Sequence, residues 1–334
     1  MNSKTQIPEQ RQEGLTTISE IMNNPFRFRY RSLLLTCACL VMALGFLGFR
    51  PLATAHLGFD PEIAEITEHL ANNPDNVDLL VQRGQVYRSY GKFIESLQDL
   101  ERAWVLDREN RTVLLERALT LSAMSRNQEA EAALDAFLQK ESDPKRVIAL
   151  AERAAIRAKT GRGELAIADF TSAIQLQPTI ELYLYRGQLQ ESLGRLDAAA
   201  AGYHEGLAKV GNAIVLKQNL IRVQIAQKQY AAALALIDEE LARSSVKTPW
   251  YLQRAEILAL MGQPDASRLA YEQALSETNR ILAKRPTPLH LVARAKILNA
   301  LGQRNDAIDD LQEALKKYPG YNEAETLLQQ WGGQ

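Results

Sequence analysis

The sequence predicts an all-α protein built as a solenoid of about seven helix–turn–helix repeats. One observation is the segment 77–110, where apolar and small residues at helical spacing mark two helices separated by a break at Gly91. A second is a dipeptide, Arg followed by Gly or Ala, that recurs along the chain with a period near 34 residues. A period of this length is typical of stacked helical repeats, in which each unit packs only against its neighbours.

The arginine dipeptide sets the register of the repeats. The steps between successive arginines are 34, 36, 33, 68 and 40 residues. Because 68 is twice 34, one degenerate copy should lie in between, with Leu220 at the arginine position. The step of 40 implies extra residues around 279–288, in an extended second helix or a longer loop. The arginines are Arg83, Arg117, Arg153, Arg186, Arg254 and Arg294.

Bulky, small and aromatic residues recur at matching positions of successive repeat units. They include Leu150, Ala154, Phe170, Ala173 and Pro178; Tyr183, Gly187, Tyr203 and Gly206; Tyr251, Ala255, Tyr271 and Ala274; and Leu291, Ala295, Ala307, Leu311, Ala314 and Pro319. With these residues the unit resembles the tetratricopeptide repeat, whose pattern places bulky and small residues in the first helix, small and aromatic residues in the second, and a Pro after the unit. The resemblance covers roughly 60–331 and implies a right-handed α–α superhelix.

The repeats are predicted to occupy 77–321, between two capping helices. A lone amphipathic helix at 60–76 should cover the first repeat, and a helix at 322–334 should shield the last apolar face, since such arrays need capped ends. The predicted repeat bounds are about 77–110, 111–144, 147–180, 180–213, 214–247, 248–281 and 288–321.

The N-terminal part of the chain predicts a membrane segment. Residues 1–31 are predicted to be a flexible basic tail, and the segment 32–50 contains an uncharged apolar run long enough for a short membrane crossing. Three arginines precede this run, which favours a cytoplasmic N-terminus and extracytoplasmic repeats, periplasmic if the host is bacterial. The alternative is a signal sequence cleaved near Ala55, which would release a secreted or periplasmic chain.

Composition and motifs argue against several classes of function. The net charge of −1 and the pI near 6.5 indicate no nucleic-acid partner, which would normally require a basic stripe. Both cysteines lie within 32–50, and the four histidines are far apart in sequence. We find no catalytic, metal-ligand or cofactor motif, so we expect a non-enzymatic protein without a cofactor.

The repeated arginines predict ion pairs within repeats. Three of them are followed by an Asp sixteen residues later, a spacing that brings the second helix back alongside the first. We expect partly exposed pairs, each contributing about 1 kcal/mol or less. The alternative is a row of ligand-binding arginines. The expected pairs are Arg83 with Asp99, Arg153 with Asp169, and Arg294 with Asp310.

The resemblance implies that the first helix of each repeat lines a concave groove that takes another protein or peptide. Family members that grip acidic C-terminal tails use a clamp of Lys, Asn and Arg; here Val81 and Gln85 occupy the first clamp positions, so that activity is not predicted. By analogy with the fold alone, we expect a membrane-anchored scaffold in cell-envelope assembly. The alternative is an exported protein whose groove binds a small ligand, lipid or glycan. The candidate groove residues are Gln85, Arg88, Leu119, Lys159, Gln188, Glu191, Arg222, Glu256, Lys296 and Asn299.

Overall fold

The computed structural model describes residues 61–140 and 142–332. These residues form sixteen α-helices and no β-strand, which confirms the prediction of an all-α helical repeat protein. The predicted tail at 1–31, the anchor at 32–50 and the cleavage site near Ala55 lie outside the described residues. No helix among the described residues combines the length and apolarity needed to cross a membrane.

The helices follow one another as a single helix, seven pairs and a final helix. The first helices of the pairs are α2, α4, α6, α8, α10, α12 and α14. The bounds are α1 Pro61–Asn72; α2 Val77–Ser89 and α3 Phe93–Leu106; α4 Arg111–Ala123 and α5 Asn127–Leu138; α6 Arg146–Lys159 and α7 Gly163–Leu176; α8 Ile180–Ser192 and α9 Leu196–Val210; α10 Ile214–Ala226 and α11 Tyr230–Arg243; α12 Thr248–Leu260 and α13 Pro264–Leu282; α14 Pro288–Ala300 and α15 Arg304–Lys317; and α16 Asn322–Gly332.

The chain divides into two compact units, one ending at Leu189 and the other beginning at Gln190. In the first unit each helix from α1 to α6 packs against the next, and the first helices α2, α4 and α6 also contact one another in a row. In the second unit each helix from α9 to α16 packs against the next. Contacts between sequence neighbours dominate in each unit, which is the packing of a solenoid.

The tight turn inside a repeat needs one residue in the left-handed backbone region. Gly91 occupies this position in the first repeat with φ 74°, a value that glycine adopts without steric cost. In the second and fifth repeats the same position is held by Ser125 and Lys228, with φ 60° and 59°. A side chain with a Cβ is disfavoured there, so these two repeats depart from the pattern at a position that costs stability.

The longer step between the last two arginines is explained by one helix. The second helix of the sixth repeat, α13, has 19 residues, whereas the second helix of the seventh, α15, has 14. The extension confirms the prediction of a longer second helix. The chain then passes Pro286 in an irregular segment and begins α14 at Pro288, where the missing proline N–H removes no helical hydrogen bond.

The predicted ion pairs within repeats are confirmed. Each arginine donates two hydrogen bonds to both oxygens of one carboxylate, at 2.7 and 2.8 Å for Asp99, 3.0 and 2.6 Å for Asp169, and 2.7 and 2.6 Å for Asp310. The expectation of partly exposed pairs was wrong for the carboxylates, which are only 7%, 4% and 4% exposed. Packing of the second helix against the first removes them from water, which makes the loss of a partner more costly.

The same arginines also bind backwards, to the helix that precedes their own repeat. Arg83 donates to Thr67 of α1 at 3.0 Å, and Arg153 donates to Asp135 of α5 at 2.7 Å. An arginine that makes both kinds of bond thus joins the second helix of its own repeat to the helix that precedes the repeat. The remaining backward contacts are Arg117 to Glu101 at 2.7 Å, Arg186 to Thr171 at 3.4 Å, Arg254 to Asp238 at 3.6 Å, and Arg294 to Asn279 at 3.0 Å.

We expect Asp169→Ala to lower the free energy of unfolding by about 3 kcal/mol, because two half-buried guanidinium groups lose the buried carboxylate that they share. Asp169 accepts from Arg153 and also from Arg157, at 2.9 Å. Asp238→Ala is the matched control, since its pair with Arg254 is long and its side chain is 53% exposed; it should cost less than about 0.5 kcal/mol. Urea unfolding followed by circular dichroism measures both, and equal losses would contradict the prediction.

We expect Lys228→Gly to raise the free energy of unfolding by about 0.5–1 kcal/mol, because glycine relieves the left-handed strain at the turn of the fifth repeat. Lys228→Ala, which keeps a Cβ at φ 59°, should give no comparable gain. Thermal unfolding of the two variants beside the parent chain measures the difference. A gain from the alanine variant as large as that from glycine would show that the lysine side chain, and not the backbone conformation, lowers the stability of the parent chain.

Candidate partner-binding face

The first helices of the repeats present one side of each unit to solvent, and we call the exposed side chains of these helices the first-helix face. In the first unit this face is built on α2, α4 and α6, which contact one another directly. In the second unit it is built on α10, α12 and α14. Residues of α8 up to Leu189 are counted with the first unit and later ones with the second.

Two polar contacts join neighbouring first helices in the first unit. Arg88 of α2 donates to Glu116 of α4 at 2.5 Å, and Ser122 of α4 donates to Glu152 of α6. Glu116 is only 7% exposed, and the Arg88 Nε is buried without a hydrogen-bond partner among the described residues. Each contact runs from the end of one first helix to the middle of the next, so the polar groups hold the helices in register.

The Glu152 carboxylate is the least compensated charge of this cluster. Burial raises its pKa above the usual range, while the hydrogen bond from Ser122 and the charge of Arg88 lower it in part. The Arg88 guanidinium is shared, because it also pairs with Glu116. One guanidinium in this cluster therefore faces two carboxylates, those of Glu116 and Glu152.

The predicted groove residues of the first unit have unequal access to solvent. Lys159 is exposed and donates to Ser125 at 3.2 Å. Gln85 and Gln188 are half-buried, and Arg88 is engaged with Glu116. Leu119 is only 8% exposed, because α4 packs between α2 and α6, so it supplies core packing and little contact surface.

The charged residues predicted in the second unit form ion pairs with one exception. Glu191 accepts from Tyr203 at 2.6 Å and from Arg222. Burial, and then the bond to the Glu191 carboxylate, raise the pKa of Tyr203. Lys296 pairs with Glu323 at 2.5 Å, and Asn299 is half-buried.

The exception is Glu256 on α12. It makes no hydrogen bond or ion pair within the part of the chain that the structure describes, and desolvation raises its pKa. The side chain is exposed to solvent, and its charge adds to the rise in the pKa of Tyr271 on α13, which burial causes first.

The sequence analysis missed a buried ion pair in the degenerate fifth repeat. Lys217 of α10, 2% exposed, donates to Glu240 of α11 at 2.6 Å and lies 3.1 Å from Glu239. This repeat has Leu220 where other repeats carry the arginine, and the lysine joins its two helices instead. Lys217 lies three residues before the arginine position, so the repeat pattern does not point to it. The pair is recognised only when the two helices are packed together.

Two depressions among the described residues lie at turns inside repeats. One is beside Gly194 and Gln227, the other is beside Gly91 and Met124, and both are open to solvent. Among the described residues no group of three or more His, Cys, Asp or Glu side chains could hold a metal ion.

Comparison with known proteins identifies the repeat and the fold. The family model described as tetratricopeptide repeat matches residues 115–179. No curated protein matches the chain. The described fold is a helical repeat solenoid like that of tetratricopeptide proteins, and this class of repeat typically serves protein–protein interaction without catalysis.

One solved structure supports the fold, and two further ones align with lower scores. The C-terminal part of a tetratricopeptide repeat-containing protein from Cytophaga hutchinsonii aligns with a TM-score of 0.56 and 16% identity, over 74% of this chain and 98% of that chain. A tetratricopeptide repeat protein from Parabacteroides merdae aligns at 0.45 and 17%, over 76% and 97%. The type IV pilus biogenesis factor PilW aligns at 0.41 and 21%, over 65% and 98%.

We expect Glu152→Gln to stabilise the protein by about 1 kcal/mol at pH 7, because the amide keeps an acceptor for Ser122 and removes a poorly compensated charge. A carboxyl whose pKa is raised by folding stabilises the folded state while it is protonated. Its contribution is lost as the pH rises from the unfolded value of 4.5 through the folded pKa.

The gain from Glu152→Gln should therefore be small at pH 4 and larger at pH 7. Glu95→Gln, an exposed glutamate on α3, is the matched control and should show no such trend. Urea unfolding at several pH values measures both variants. A gain that does not depend on pH would exclude titration of Glu152 as its cause.

Proposed function

We propose that this protein is a non-enzymatic scaffold that binds a segment of another protein on its first-helix face. The observation that carries the proposal is the direct row of α2, α4 and α6, which gives the first unit a continuous surface across three repeats. Stacked helical repeats use such extended surfaces for binding. Exposed apolar and charged side chains share this surface, among them Ile148, which is 43% exposed, and Lys159.

The proposal includes a location outside the cytoplasm. Its support is the sequence alone: an apolar segment at 32–50 that follows a basic cluster. The segment would act as a single-pass anchor and leave the repeats free to engage a partner in assembly of the cell envelope. Cleavage near Ala55 would instead give an exported chain with the same repeats.

Binding of a small ligand, lipid or glycan has no comparable support. Such a carrier needs a concave and largely enclosed apolar site. The depressions found among the described residues are open and lie at turns, away from the middle of the first helices.

The proposal is tested by placing a photoreactive amino acid at Lys159, on the first-helix face, in the full-length chain in its native membrane. We expect a crosslink to one defined partner, because this exposed side chain would lie in the interface. Gln175, an exposed residue on the second helix α7 of the same repeat, is the matched control and should give no crosslink.

N-terminal sequencing of the mature chain completes this experiment. An intact N-terminus together with a crosslinked protein would support the anchored scaffold. Equal crosslinking from both positions, or none from either, would refute binding on the first-helix face of the first unit. A mature chain beginning after Ala55 would refute the anchor. The binding proposal would then be judged by the crosslinks alone.

A further inference from the structure

One long segment near the end of the chain is basic although the protein as a whole is nearly neutral. From Thr278 to Asn305 the sequence has six Lys or Arg residues and no Asp or Glu, whereas the net charge of the whole chain is −1. Three of the six lie in α14 and at the start of α15 and bond to other described residues. The other three, Arg280, Lys284 and Arg285, lie at the end of α13 and in the loop that follows it.

Packing of α13 against α12 brings a fourth cation to the same place. The hydroxyl oxygens of Thr248, at the start of α12, and Thr278, on α13, lie 3.3 Å apart, and both side chains are buried. Lys247 immediately precedes Thr248, so it stands beside the C-terminal part of α13. We call the four cations the basic patch: Lys247, Arg280, Lys284 and Arg285.

The carboxylate that these cations face is already engaged. Arg280 donates to both carboxylate oxygens of Glu277, at 2.9 and 2.6 Å. This bond lowers the pKa of Glu277 most, and the charges of Lys247 and Lys284 lower it further, in keeping with their position beside the same carboxylate. Lys247, Lys284 and Arg285 make no side-chain hydrogen bond or ion pair within the part of the chain that the structure describes.

Helix stability does not account for the whole patch. Cations at the C-terminal end of a helix are favourable, which explains Arg280 and Lys284. Lys247, however, is the N-cap residue of α12, where the positive end of the helix dipole disfavours a cation. Arg285 lies beyond α13 with an exposed side chain. Four cations against one paired carboxylate give this loop edge a positive potential, which attracts anionic groups.

Exposed apolar side chains border the basic patch on both sides. Val246, which precedes Lys247, is 57% exposed, and Leu289, in the first turn of α14, is 59% exposed. Apolar contacts together with complementary charges are what a protein interface combines, since the charges select the partner and the apolar area adds affinity.

We propose that the basic patch is a docking site for an acidic segment of a partner protein that also carries an apolar side chain. The carboxylates of this segment bind Lys247, Lys284 and Arg285. A guanidinium can donate two parallel hydrogen bonds to one carboxylate, and each ammonium offers three donors. The apolar side chain of the segment packs beside Val246 or Leu289.

This site goes beyond the proposed function, because it lies at the loops between repeats of the second unit and not on the first-helix face of the first. It is confined to the edge formed by the start of α12 and the end of α13. A cluster of this size favours a short acidic segment over a nucleic acid, which would normally require a basic stripe.

Selection from a random twelve-residue peptide library displayed on phage tests this inference, with the full-length chain in detergent as the bait. The test variant is Lys284→Gln/Arg285→Gln. The matched control is Lys209→Gln/Arg268→Gln, which removes the same net charge from exposed positions on the second helices α9 and α13. All four side chains are exposed, so both variants should keep the fold, and circular dichroism checks this.

We expect the parent chain and the control to enrich peptides with clustered Asp or Glu next to an apolar residue, and the test variant to lose the acidic preference. The affinity of one selected peptide should fall about tenfold in the test variant, through loss of two interfacial charge pairs. The affinity of the parent chain for that peptide should also fall as salt rises, since exposed charges are screened. Lys284→Glu/Arg285→Glu should reverse the preference towards basic peptides.

Several results would overturn the inference. Enrichment without acidic residues, or no enrichment, would show that the patch recognises no acidic segment. An equal loss in the control would show that net charge, and not the patch, attracts the peptides. Tighter binding of a labelled single-stranded oligonucleotide than of the selected peptide, lost in the test variant, would assign the patch to nucleic acid. None of these bears on the Lys159 crosslink in the native membrane, so failure of the inference and failure of the proposed function remain distinguishable.

Discussion

The bonds that a repeated arginine makes to polar side chains of neighbouring helices are the interactions on which the described structure most depends. The guanidinium is planar and carries five donors, so one side chain can bind Asp169 with two nitrogens and Asp135 with the third. Helix propensity and apolar periodicity produce individual helices, but they fix neither the angle nor the register between them. The planar guanidinium fixes the angle and the register where it bonds a buried carboxylate of the adjacent helix. A helix shift that broke this bond would leave the buried carboxylate unpaired, which is costly.

Where this arginine is absent, another polar group joins the helices. The fifth repeat has Leu220 at that position and uses the buried pair of Lys217 with Glu240. The lysine is a point charge without the directional fork of arginine, and the same repeat also carries a non-glycine residue in the left-handed turn. Both departures from the pattern lie in one repeat, which makes it a weaker member of its unit on physical grounds.

The two first-helix faces use their charges differently. In the first unit the cluster of Arg88, Glu116 and Glu152 is turned inward and links helices, so its role is structural even though its carboxylate is incompletely balanced. In the second unit Glu256 is turned outward and links nothing among the described residues. A charge that serves packing and a charge that faces solvent thus differ in their contacts, which the sequence position alone does not distinguish.

The sequence by itself determined the repeat, the helices and the ion pairs between residues sixteen positions apart, because a period near 34 and helical spacing are local properties of the chain. From the step of 40 residues it predicted either an extended second helix or a longer loop, and the structure shows the extended helix, α13. It did not reveal that Leu119 is covered, that the arginines reach back to the preceding helix, or that Glu116 and Glu152 face side chains 28 and 30 residues earlier. Those features arise only when helices stack, since burial and pairing between repeats depend on which faces meet, and that is a property of the tertiary structure.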